Sequence, residues 1–118
     1  MAPHSVERIR DSLEAFFEAE NSRDWQRYAT FLHPDVVWTL VDGTTESKAV
    51  GRDGYLSAIQ HAYDGVPTTF RCVDMIIDPS RSRASSLLID DTGERSLDVF
   101  DLDGGLIRRE WEFLLGRE

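Results

Sequence analysis

The chain has 118 residues, 41% hydrophobic and 30% charged, which bounds it to one domain with a single core over residues 1–118. Its 22 acidic against 13 basic residues give a formal charge of −9, a balance that repels phosphate backbones and anionic headgroups and so argues against nucleic-acid and membrane partners. Cys72 is the only cysteine, so no intrachain disulfide can form, and the position reads as packing in an apolar strand. There is no apolar run of bilayer-spanning length and charged residues start at Glu7 where a signal peptide would be apolar, so the chain is expected to be cytoplasmic.

Ser5 is placed to cap a helix, and Val6, Ile9, Leu13, Phe16 and Phe17 recur at helical spacing, predicting an amphipathic helix over residues 5 to 21. Asp24 can cap a second helix running through Leu32, with Trp25, Tyr28, Ala29 and Leu32 as its apolar stripe and Pro34 blocking continuation. Residues 36 to 41 are β-branched and aromatic, predicting a strand that ends at the turn Asp42-Gly43-Thr44-Thr45, with a short return strand over 46 to 50. Tyr55 to Tyr63 reads as a third helix with Leu56, Ile59, Ala62 and Tyr63 inward, closed by Gly65 and Pro67. Four strands follow near 68 to 78, 82 to 90, 95 to 102 and 106 to 115, and the last two flank the tight turn Asp103-Gly104-Gly105.

Helices first and a meander last imply an α+β domain, its helices covering one face of a curved, mainly antiparallel sheet. In the final hairpin the even-numbered positions carry Asp98, Glu110 and Glu112, and the odd-numbered ones carry Leu97, Val99, Ile107, Trp111 and Phe113. One face is thus a candidate carboxylate site. The other either packs under the helices as core or forms an outer face that a homodimer would remove from water.

The layout resembles the nuclear transport factor 2-like superfamily, whose members include ketosteroid isomerase, limonene epoxide hydrolase and polyketide cyclases. The resemblance rests on Phe16-Phe17 with Asp24-Trp25, on His33-Pro34-Asp35-Val36-Val37-Trp38 entering the first strand, on Gly51-Arg52-Asp53-Gly54, and on Asp98-Val99-Phe100 with Gly105-Leu106-Ile107. It implies a strongly bent sheet that encloses, with the helices, a cone-shaped pocket, and a convex side used for dimerisation. Against ketosteroid isomerase, Asp98 falls on the oxyanion-hole aspartic acid, a group kept protonated by an apolar site. Phe16 and Leu40 stand where that enzyme has its tyrosine donor and its general base, and neither can do that chemistry. Against limonene epoxide hydrolase, Glu112 falls on one acidic member of the catalytic set, while Ala84, Ser85 and Ser86 stand where its Arg and Asp partners are expected.

Asp98 and Glu112 are therefore the catalytic candidates: two close carboxyl groups in a low-dielectric pocket share a proton, and such a pair can act as acid and base at once. Phe16, Trp38, Leu40, Tyr55, Tyr63, Phe70 and Phe100 are candidate lining residues for a hydrophobic small-molecule ligand, by strand parity or helix face. Alternatively Arg108, on the parity of Glu110 and Glu112, neutralises them, and the chain is a non-catalytic ligand-binding or dimerisation module. His33 fits a loop or capping role, His61 an exposed helix position and His4 the chain terminus; three dispersed histidines and one cysteine have no metal-ligand spacing. With no phosphate-binding glycine loop or activated nucleophile either, no metal or cofactor is expected, and the chemistry in view is that of an isomerase, cyclase or hydratase.

Overall fold

The computed structural model describes residues 5–118; His4 lies outside them. Helix α1 (Val6–Asn21) starts where expected, because the Ser5 side chain accepts the Arg8 N–H at 3.2 Å. Its Ile9, Leu13, Phe16, Phe17 and Ala19 are buried. Asp24 caps α2 (Trp25–Ala29) by accepting the Arg27 N–H at 3.1 Å. The second helix does not run through Leu32: Thr30 closes it by donating to the Arg27 carbonyl at 2.6 Å, and Leu32, fully buried, opens the first strand.

Strand β1 (Leu32–Asp42) pairs antiparallel with β2 (Thr45–Val50) across the Gly43 turn. Pro34 sits inside β1 where the ladder to its other neighbour shifts between Leu32 and Val37, so its missing N–H breaks no pairing. Helix α3 (Arg52–Ala62) follows Gly51, whose φ of +79° suits glycine and whose N–H donates to the Val36 carbonyl at 2.7 Å. Tyr55 and Ile59 point inward and Leu56 and Tyr63 are half-buried, but Ala62 is exposed at the last turn. The four remaining strands are β3 (Phe70–Asp78), β4 (Arg83–Asp90), β5 (Arg95–Asp103) and β6 (Leu106–Gly116).

The six strands form one sheet in the order β2-β1-β6-β5-β4-β3. Neighbours are antiparallel except β1 and β6, the parallel pair that joins the N-terminal hairpin to the meander. This is the expected α+β architecture, with the helices on one side of a curved sheet. Phe16 ties the layers together: its ring stacks on Tyr28 of α2 at 4.2 Å between centroids and meets Phe100 of β5 edge-on at 6.1 Å.

One irregularity reassigns a face. Asp101 pairs with Arg109 but Leu102 pairs with Ile107, so Arg108 is an extra residue on β6, a β-bulge that flips the parity of everything before it. Ile107 is accordingly 2% exposed in the core beside Leu102 and is not on the outer face with Leu97, Val99, Trp111 and Phe113. Arg108 does not share the parity of Glu110 and Glu112; its guanidinium donates to the Asp35 carbonyl. The cation expected to neutralise the acidic face is therefore elsewhere.

Candidate functional site

Helices and sheet leave between them a cavity of about 260 Å³. Strand alternation puts Asp98 of β5 and Glu110 and Glu112 of β6 on the face that looks into it, with Asp98 opposite Glu112 and Phe100 opposite Glu110 across the ladder. Carboxylate oxygens of these three residues lie within 4.8 Å of one another. A fourth acid, Glu20 at the end of α1, lines the same space. Phe16, Phe17, Trp38, Tyr55, Ile59 and Phe100 make the walls largely apolar.

Every acid has hydrogen-bond donors. Ser96 Oγ donates to Asp98 Oδ1 at 2.6 Å, and the Trp38 indole N–H donates to Glu112 Oε1 at 3.2 Å. The Tyr55 hydroxyl is hydrogen-bonded to Glu110 Oε1, and the Tyr28 and Tyr55 hydroxyls are 3.0 Å apart. Tyr63 donates to one oxygen of Glu20 at 2.6 Å, and the Tyr28 hydroxyl lies 3.2 Å from the other. Asp98 and Glu110 are neighbours in this cluster, with oxygens within 4.8 Å of each other, and a hydrogen bond between them needs one of the two to carry a proton.

Burial is the main force on all four acids. It pushes Asp98, 4% exposed, up to about 6, opposed by the bond from Ser96 and by the neighbouring Glu110. Glu110 is held well above the carboxylate range by burial, then by the charges of Asp98 and Glu112. Glu112 is held high in the same way, by burial and then by Asp98 and Glu20. Glu20 rises to about 7 through burial, against its two tyrosine bonds and the charge of Arg23. The phenols of Tyr28, Tyr55 and Tyr63 are likewise raised, so they remain donors. All three sheet carboxyls are thus held above the ordinary carboxylate range, and each makes the others harder to ionise.

The structure brings the two catalytic candidates, Asp98 and Glu112, into one cavity. Of the lining candidates, Phe16, Trp38, Tyr55, Tyr63, Phe70 and Phe100 line it. Leu40 does not: it shares the parity of Trp38 but is half-buried further along β1, and the Trp38 indole bonded to Glu112 forms that end of the wall. His33 plays a local capping part, its Nδ1 accepting the Asp35 N–H at 3.0 Å, and His61 is exposed on α3. Cys72 is half-buried and packs against the core, and burial raises its thiol.

Sequence reasoning passed over Glu20 and Tyr28, and chose Glu112 over Glu110. The signal for Glu20 was present: it continues the stripe Leu13, Phe16, Phe17 at helical spacing, so it is a carboxylate on an apolar helix face. The oxygens of Asp98, Glu110 and Glu112 are near enough to converge on one hard cation. Glu110 in its neutral form, however, presents a hydrogen to its neighbour in place of a lone pair, and each of the three already accepts or shares a hydrogen bond.

A model of the SnoaL-like domain family matches residues 13–110. Among solved structures, a proposed ketosteroid isomerase from Kribbella flavida DSM 17836 is 23% identical, with a TM-score of 0.78 over 98% of this chain and 83% of that one. A cystatin-like protein of unknown function from Methylobium petroleophilum PM1 is 15% identical, with a TM-score of 0.83 over 98% and 82%. A SnoaL-like protein of unknown function from Burkholderia thailandensis E264 is 10% identical, with a TM-score of 0.83 over 97% and 100%. No curated protein matches the chain. At these identities the neighbours establish the fold, and the match over residues 13–110 establishes the family: the chain belongs to the SnoaL-like domain family.

Proposed function

We propose that the protein binds a hydrophobic small molecule in this cavity and moves a proton on it, as an isomerase, cyclase or hydratase working without a cofactor. The observation that carries this reading is the convergence of Asp98, Glu110 and Glu112 at the base of an aromatic-walled cavity. For a substrate with a C–H beside a carbonyl, ionised Asp98 removes the proton. Neutral Glu112 then hydrogen-bonds the enolate oxygen as charge develops on it, where a donor in a dry site is worth most. Glu110, beside Asp98, keeps the negative charge on one carboxylate at a time.

The test is exchange, which needs no knowledge of the natural product. Hydrophobic cyclic ketones and enones are screened by quenching of tryptophan fluorescence, since Trp38 lies in the wall. For each binder, loss of the α-proton into D₂O is followed by NMR. Asp98→Asn should keep binding and slow exchange by about 100-fold or more, the usual contribution of a positioned base. Binding without any protein-dependent exchange would leave a ligand-binding module in place of an enzyme.

We further propose that two copies pair through the outer face of the sheet. Val41, Phe113, Leu97 and Leu87 form one row across four strands, with Trp111 and Val99 in the next. A two-fold axis through such a block buries the same residues on both copies.

A further inference from the structure

We propose that Glu20 is the far end of a proton relay, running Glu20, Tyr28, Tyr55, Glu110, Asp98, along which a single negative charge rests at one end or the other. This deepens the acid/base reading above and rests on it only for its use in turnover. Three of its links are hydrogen-bonded contacts, Glu20 to Tyr28 at 3.2 Å, Tyr28 to Tyr55 at 3.0 Å and Tyr55 to Glu110, and the fourth joins Glu110 to Asp98, whose carboxylate oxygens lie within 4.8 Å of each other. Each needs one hydrogen. The two phenols supply two, so two of the three carboxyl groups must supply the others, and only one carboxylate is left ionised.

Hydrogen counting then admits three complete arrangements, one for each carboxyl group left ionised; with Glu110 ionised, Tyr55 and Asp98 both donate to it and no chain runs from end to end, whereas the other two are continuous. With Asp98 ionised, Glu20 donates to Tyr28, Tyr28 to Tyr55, Tyr55 to Glu110 and Glu110 to Asp98. With Glu20 ionised, all four bonds point the other way: Asp98 donates to Glu110, Glu110 to Tyr55, Tyr55 to Tyr28 and Tyr28 to Glu20. Passing from one to the other shifts one hydrogen across each contact, so Glu20 loses a proton, Asp98 gains one, and the three groups between them end as they began. Glu110 is neutral in both, which agrees with its position as one of the hardest of the group to ionise, whereas the two ends titrate at about 6 and about 7.

The surroundings of Glu20 suit a terminus. Tyr63 of α3 donates to its second oxygen at 2.6 Å in either arrangement, and Arg23, over the Tyr63 ring at 3.9 Å, is held by the Val66 and Thr68 carbonyls. Asp98 of β5 and Glu112 of β6 are the charges that face it from the sheet. Both ends of the relay line the cavity. A proton taken from a ligand by Asp98 can therefore be matched by one given to another atom of the same ligand by Glu20. Reversal of the chain then restores the base without a proton from bulk water.

The experiment is a carboxyl-carbon NMR titration of the ligand-free protein, so its outcome is independent of whether any ketone is turned over. In the wild type, Asp98 and Glu20 should each titrate in two steps, with each step seen at both carbons. Glu20→Gln should reduce Asp98 to one step at lower pH. Tyr55→Phe breaks the chain without changing a charge, and in that background the effect of Glu20→Gln on Asp98 should shrink to less than half. Tyr28→Phe should do the same and serves if Tyr55→Phe perturbs the fold. An effect of Glu20→Gln as large in both phenylalanine backgrounds as in wild type would mean coupling through space, and would overturn the relay.

Discussion

Asp98 and its three acidic neighbours each hold a proton more tightly in the folded chain than in an unfolded one, and folding is linked to pH accordingly. An unfolded carboxyl ionises near pH 4, whereas Asp98 and Glu20 wait until about 6 and about 7. Between those limits the native state binds more protons, so stability falls as pH rises through the window, and the loss is complete above the folded values. For Asp98 the cost is on the order of 2–3 kcal/mol. Asp78 and Asp90 work the other way: their pKa values are lowered, Asp78 to about 2, so what they contribute is present above about pH 4 and is lost only in stronger acid. Maximum stability is therefore expected near pH 4 to 5. A melting midpoint higher at pH 7.5 than at pH 5 would contradict this, and Asp98→Asn should flatten the decline and raise the pH 7.5 midpoint. Strand alternation put Asp98, Glu110 and Glu112 on one face, and only the family resemblance singled out Asp98 and Glu112 among them. Glu20 could not be assigned that way: its role depends on Tyr28 and Tyr63, which reach it from two other helices.

At the scale of elements, the starts of α1 and α2 followed from caps and the strands from turn chemistry, so α1 and the four-strand meander lie within a few residues of where the pattern put them, whereas α3, with no side-chain cap, starts at Arg52, three residues before the expected Tyr55. Helix α2 fell short because Leu32 is claimed by β1, where a tertiary contact outweighs the local stripe: the Ile107 N–H donates to the Phe31 carbonyl at 2.8 Å. The bulge at Arg108 was invisible for a related reason. No glycine or proline marks it, and only the partner strand reveals that Leu102 meets Ile107 while Asp101 meets Arg109. Its consequence is measurable by truncation. Ile107→Ala should cost about 2–5 kcal/mol in urea unfolding, the range for a buried aliphatic side chain, whereas Val50→Ala, 69% exposed on the edge strand β2, should cost well under half as much. Equal and small effects would put Ile107 back on the outer face and remove the bulge.

At the scale of the molecule, the sheet divides two tasks between its faces. The inner face, under the helices, carries the acids and the cavity; the outer face has no secondary structure over it among the described residues, yet it carries Val41, Leu87, Leu97, Val99, Trp111 and Phe113. A block of that kind on a lone chain is an aggregation hazard unless something covers it. A second copy is the economical cover, because a two-fold contact needs no other gene product and a stable one buries about 800 Å² per partner. The charged rim fits the same geometry: Arg83 and Asp101 are paired at 2.6 Å, and the Arg83 guanidinium stands 5.6 Å from the Trp111 ring, so the edge carries both signs despite the overall negative charge. Trp111→Glu would then place a carboxylate from each copy at the centre of the contact, where neither has a partner. Sedimentation velocity should show a dimer for the wild type and a monomer for the variant, with unchanged far-UV circular dichroism. Because Trp111 and Asp98 lie on opposite faces of the sheet, the variant should keep the cavity titrations intact. Identical sedimentation of the two proteins would mean that this face does not hold the copies together.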